Sequence, residues 1–162
     1  MGFHWRSIFL FLVISVATLH LSHAHSEPED YVHAHSCTRT LFELPPLTWD
    51  PELAKHAEDW ANQRKDCKMI HSGRCGENMA AGPNLNGSFA VQMWMDEKGD
   101  YDGGENKCKE GTKCTHYTQC IWKDTVRIGC ARVKCDPADS PNYLVVCNYD
   151  PPGNVPGEKP IP

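Results

Sequence analysis

Residues 126–133 read Val126-Arg127-Ile128-Gly129-Cys130-Ala131-Arg132-Val133. The alternation of polarity is the period of a strand with one face buried. Tyr143 to Cys147 is apolar throughout, which predicts a second strand, central and covered on both faces. Upstream the period changes. Asp50 is a good helix N-cap, Pro51 suits the first helical position, and Glu52 adds negative charge to the first turn. Leu53, Ala57, Trp60 and Ala61 then recur at helical spacing as one buried stripe. Glu29 to Leu41 also has helical spacing, through Tyr31, Val32, Cys37 and Leu41, before Pro45-Pro46 breaks it. Ser88 opens a third helix, with Phe89, Val91, Met93, Trp94 and Met95 ahead of Gly99. Tyr101 to Lys113 is Gly-rich and charged and reads as a loop. Helices come early and strands late, so the predicted class is α+β rather than alternating βαβ.

The length of 162 residues suits one domain. Sixteen basic residues against 21 acidic ones leave a net charge of −5. That balance excludes a nucleic-acid backbone as main partner, which needs clustered Lys and Arg. Residues 1–24 have the pattern of a secretory signal peptide: Arg6, an apolar run from Ile8 to Ala17, and Ser22-His23-Ala24 at the end. Ile8–Leu19 is too short for the ~20 residues of a membrane span. The expected organisation is a signal segment at 1–24, a domain at 25–150 and a Pro-rich tail at 151–162. The tail should be extended and exposed. The expected location is extracellular, where cysteines pair as disulfides. The chain has nine cysteines, so pairing within the chain leaves at least one over. Spacing does not choose among the many arrangements.

His71, Glu77, Glu97 and His116 each fall near a turn or an element end. Two imidazoles and two carboxylates could hold a divalent metal or run acid–base chemistry. Their spacing matches no local metal motif such as His-Glu-x-x-His. Cys108, Cys114, His116 and Cys120 lack the paired spacing of structural zinc, and a Cys108–Cys114 disulfide closing a short loop is the better reading. A Cys120/His116 nucleophile pair lacks a visible oxyanion or orienting element. His33 and His35 read as solvent-facing. Asn86-Gly87-Ser88 is an N-glycosylation sequon in a turn. No phosphate loop, nucleophile elbow or glycosidase-type carboxylate pair occurs.

The run Thr115-His116-Tyr117-Thr118-Gln119-Cys120-Ile121-Trp122 resembles the first signature of the CAP superfamily (cysteine-rich secretory proteins, antigen 5, pathogenesis-related 1). Leu144 to Asn154 resembles the second. Pro46–Asp50, Trp60–Arg64, His71–Gly73, Gly76–Asn78 and Met93–Lys98 stand in family order, so the likeness spans residues 28–157. The plant pathogenesis-related 1 branch is the nearest in pattern. The resemblance implies a three-layer α–β–α sandwich around a central antiparallel sheet. It implies that His71, Glu77, Glu97 and His116 converge in one cleft, where some relatives hold zinc or another divalent cation, and that no cofactor is required. It also pairs Cys67 with Cys135, Cys108 with Cys114 and Cys130 with Cys147.

The chain departs from the family pattern at Cys37, Cys75 and Cys120, where other residues are expected, and at Thr115, where Gly usually precedes the signature His. A Cys75–Cys120 contact flanking the cleft, with Cys37 apart, is one reading of the extra cysteines. The other is that all three are small buried hydrophobes. Segment 100–107 is polar where relatives richer in Tyr bind sterol or lipid. The chain ends Pro160-Ile161-Pro162, where relatives that release a signalling peptide end Pro-Tyr. The expected function is a secreted, monomeric, non-enzymatic defence protein. It would bind sterol or lipid of microbial membranes or yield a peptide signal. The alternatives are an extracellular interaction module and a metal-dependent hydrolase using the His/Glu cleft.

Overall fold

Asp50 starts the helix predicted after it. Its Oδ1 accepts the backbone N–H of Glu52 at 2.8 Å and of Leu53 at 3.2 Å, ahead of Pro51. In the computed structural model, which describes residues 27–74, 76–136 and 142–161, this helix spans Pro51–Gln63. In chain order the elements are α1 (Pro28–Thr40), β1 (Thr48–Trp49), α2 (Pro51–Gln63), β2 (Gly76–Gly82), α3 (Gly87–Asp96), a 3₁₀ turn (Glu97–Asp100), β3 (Tyr101–Asp102), β4 (Lys107–Cys108), α4 (Thr115–Cys120), β5 (Arg127–Lys134) and β6 (Tyr143–Asp150). The signal-peptide reading at 1–24 and Cys75 lie outside the described residues. Among those residues, no helix is long and apolar enough to cross a membrane.

The main sheet has the order β1-β5-β6-β2. β5, β6 and β2 are antiparallel, and β1 adds a short parallel edge to β5. On one face α2 buries Ala57 and Ala61 with Met79, Leu144 and Val146. Contact is closest at Gly129, where a Cβ would stand 2.1 Å from Ala54 N. On the other face α1, α3 and α4 enclose Trp94, Tyr117, Ile121, Ile128, Val145 and Tyr149. The result is three layers, helix–sheet–helix. Disulfides join Cys67 to Cys135, Cys108 to Cys114 and Cys130 to Cys147, at sequence separations of 68, 6 and 17. Chain-entropy reasoning gives them about 4, 2 and 3 kcal/mol.

Four expectations need correction. The predicted stripe of α1 holds at Tyr31 and in part at Val32 but not beyond: Leu41 is 73% exposed and Cys37 is exposed, and the buried face runs through Tyr31, His35 and Arg39 at i, i+4 and i+8. Buried polar groups survive there because they are paired. The Arg39 guanidinium donates to the carbonyls of Pro45, Cys120, Trp122 and Thr125 at 2.9–3.1 Å. His35, read as solvent-facing, is fully buried. The segment read wholly as a loop contains the β3–β4 hairpin. The tail is largely exposed, as expected, but its end is tied to the domain. Lys123 N–H donates to the Pro160 carbonyl at 2.7 Å, Pro160 is buried and Ile161 packs on the core.

Candidate functional site

His71 follows the α2-to-β2 turn, and Glu77 sits on β2. Glu77 Oε1 accepts from His71 Nδ1 at 2.7 Å and from the Ser72 backbone N–H at 3.0 Å. Across the site, His116 lies in the first turn of α4 and Glu97 opens the turn after α3. Glu97 Oε1 lies 2.6 Å from His116 Nδ1. Its Oε2 accepts the backbone N–H of His116 at 3.0 Å and of Tyr117 at 3.3 Å. Burial would raise the Glu97 pKa. The hydrogen bond and charge of His116 and the two backbone donors outweigh it, holding this carboxyl below its ordinary value. A carboxylate only accepts, so each Nδ1 carries a proton. In the neutral ring the lone pair is then on Nε2.

His71, Gly73, Glu77, Asn78, Thr115 and His116 line one cleft of about 240 Å³, closed on one side by Asn154. Three of the four predicted residues line it. Glu97 stands behind His116 as its support. Thr115, where the family pattern has Gly, forms part of the wall. Asn78 and Asn154 were missed as cleft residues, although both fall inside the quoted signatures. Asn78 Nδ2 donates to the His116 carbonyl at 3.0 Å. Asn154 Oδ1 accepts from Thr118 Oγ1 at 2.6 Å, and its Nδ2 donates to the Thr115 carbonyl at 2.9 Å.

Behind the cleft lies a buried polar cluster. The Tyr31 carbonyl can only accept, so His35 Nδ1, 2.7 Å away, donates to it. His35 Nε2 then accepts from the Tyr149 hydroxyl at 2.9 Å. Burial drives the His35 pKa down to about 4 and the Cys120 thiol up to about 12. Cys120 is an unbridged thiol contacting Asn78, His35 and Tyr149. The expected contact with Cys75 lies outside the described residues. The Cys120/His116 nucleophile pair fails, because a buried neutral thiol is a poor nucleophile.

Among the described residues no group of three or more His, Cys, Asp or Glu is placed to hold a metal ion. Both carboxylates engage an imidazole Nδ1, and Glu77 Oε2 is buried without a hydrogen-bond partner among the described residues. This leaves two imidazole nitrogens facing one cleft, with one orphaned carboxylate oxygen nearby. Asn86 Oδ1 caps α3 by accepting the Phe89 N–H at 2.8 Å.

Residues 32–149 match the CAP family, described as the cysteine-rich secretory protein family. The chain belongs to that family. Pathogenesis-related protein 1B of Nicotiana tabacum is 46% identical over 158 residues, covering 95% of this chain and 90% of that protein. A pathogenesis-related PR-1 type protein of Sambucus nigra is 42% identical over 165 residues, covering 97% of each. Among solved structures, venom allergen-like protein 4 of Schistosoma mansoni superposes with a TM-score of 0.67 at 27% identity, covering 88% of this CAP chain and 96% of that one. The plant relatives identify a pathogenesis-related defence protein, and the three disulfides fit an extracellular one.

Proposed function

We propose that this CAP protein is secreted and works in defence by binding rather than by turnover. The observation that carries this reading is the chemistry of the cleft. The imidazoles of two His–Glu pairs line one cleft, the described residues around them include no activated nucleophile, and the thiol four residues beyond His116 is buried and neutral. The names of the plant relatives support the defence role.

The lipid form of this reading assigns a sterol to a different cavity. About 260 Å³ lies between the β3–β4 hairpin and the tail, with Tyr101, Trp122, Val155, Pro156 and Pro160 in its lining. Those aromatic and proline walls suit a rigid apolar ring system. Titration of the disulfide-bonded protein with fluorescent sterol should give saturable binding that Trp122→Ala weakens. Absence of saturation removes the lipid form and leaves the tail as a source of peptide signal.

His71 and His116 would hold a divalent cation through their Nε2 atoms, with Glu77 and Glu97 fixing the rings through Nδ1. Such a cation would supply a positive charge for an anionic group in the cleft. Two protein nitrogens fall short of the three or four ligands of a resident zinc site, so binding should be weak. Zinc calorimetry on the wild type and His116→Ala tests this. Ester or peptide hydrolysis that His116→Ala abolishes would favour the hydrolase reading instead.

A further inference from the structure

Segment 71–74 is a partition between two cavities. His71 and Gly73 line the cleft, while Ser72 and Arg74 line a separate cavity of about 400 Å³ on the α2 side. There α2 presents His56, Asp59, Trp60 and Gln63, spaced i, i+3, i+4 and i+7 and so on one helical face. From the sheet comes Asn148 of β6, only 2% exposed.

Two buried polar atoms of this cavity are left without a partner among the described residues. Asn148 Nδ2 makes a long bond of 3.4 Å to the Leu53 carbonyl. Asn148 Oδ1 and Ser72 Oγ are buried and have no hydrogen-bond partner among the described residues. A buried amide oxygen and a buried hydroxyl left unpaired call for a ligand group that supplies the bond. Trp60 is itself anchored, its Nε1 donating to the Ile70 carbonyl at 2.9 Å.

We propose that this cavity binds a neutral saccharide. Asn148 Oδ1 and Ser72 Oγ would bond its hydroxyls, and Trp60 would supply an apolar wall for its C–H face. The class follows from the lining. Amides and a hydroxyl suit ligand hydroxyls, which both donate and accept. Arg74 and Asp59 both line the cavity, and Asp59 is engaged by Lys55 at 3.0 Å, which makes inorganic phosphate the competing ligand in the test. A hard cation would need several carboxylates, and Asp59 is the one carboxylate in the lining. The cavity is large enough for a small ligand, concave, and carries a few convergent polar groups around an aromatic residue. It shares no lining residue with the sterol cavity or the cleft, so the proposal stands apart from the function proposed above.

The test is an NMR titration of the disulfide-bonded chain with glucose, mannose, N-acetylglucosamine and cellobiose. The reporters are the Trp60 indole N–H and the Asn148 side-chain amide. At least one sugar should give saturable shifts at both. Ser72→Ala should weaken that binding about tenfold, the worth of one hydrogen bond, and Gln63→Ala, which removes part of the cavity wall, should weaken it less. Neither side chain belongs to a core cluster, and spectra unchanged away from the cavity will show that the fold is kept. The proposal is overturned if none of the four sugars saturates the reporters. Calcium or inorganic phosphate saturating them in place of sugar also overturns it, as does sugar binding unchanged in both variants.

Discussion

Glu97 grips His116 twice. One carboxylate oxygen lies 2.6 Å from the ring Nδ1, and the other accepts the same residue's backbone N–H at 3.0 Å. Ring orientation and the start of α4 are thereby set by one side chain. Glu97→Ala should cost about 1–3 kcal/mol, the range for charge-assisted hydrogen bonds, read as a lower urea midpoint. Glu97→Gln keeps the shape and should cost less. Because the Glu97 carboxyl is held below its ordinary pKa, its contribution is present above the unfolded value and is lost as pH falls through the folded one. The Gln variant should lack that acid-side loss.

His35 makes the fold acid-sensitive in a different window. The unfolded chain protonates this imidazole near pH 6.5, while the buried ring resists until about 4. Acid therefore favours the unfolded chain. Stability from this group is intact above pH ~6.5 and declines by up to about 3 kcal/mol as pH falls toward 4. Denaturation midpoints measured across pH 4–7 should show the decline. His35→Gln should flatten it, whatever its stability at pH 7.

Arg39 ties the α1–β1 connection to the end of α4 and the α4–β5 connection by donating to four carbonyls. Arg39→Leu strands those acceptors in the interior and should cost about 3–5 kcal/mol. Arg39→Lys keeps the charge without the fork and should recover part of the loss. Thermal unfolding of the two variants checks the order.

The two described free thiols should separate chemically. Cys37 is exposed on α1, whereas Cys120 is buried with its thiol pushed up to about 12. Iodoacetamide applied to the native protein should label Cys37 and spare Cys120 until denaturant is added. Peptide mapping reads both. Rapid native labelling of Cys120 would contradict the buried assignment.

Asn86 links a cap to a sequon. Asn86→Ala should cost about 1 kcal/mol through loss of the α3 cap, even in protein made without glycans. A melt of the unglycosylated pair isolates that effect.

Legibility in the sequence followed local period. α2, β5 and β6 were readable because their caps, stripes and apolar runs are properties of a few adjacent residues. β2 was not. Gly76-Glu77-Asn78-Met79-Ala80-Ala81-Gly82 has no β-branched or aromatic residue and is a strand through its pairing with β6. The inner face of α1 was misread because Arg39 and His35 look like surface residues until the carbonyls and hydroxyl they serve are brought up by distant segments. The cleft residues are too far apart for spacing to unite them, and only the signature resemblance did so. Their division of labour, imidazoles forward and Glu97 behind, needed coordinates. Asn148 carried no sequence signal at all for the second cavity.

Asn154 belongs at once to the C-terminal tail and to the wall of the cleft. Whatever occupies the cleft therefore rests against the tail's own anchor, and occupancy and trimming become reciprocal. A filled cleft shields the tail from proteases, and a trimmed chain offers a cleft missing one wall. Protease resistance of residues 154–161, measured with no sterol present, is thus a gauge of cleft ligation that needs no knowledge of the cleft's own ligand.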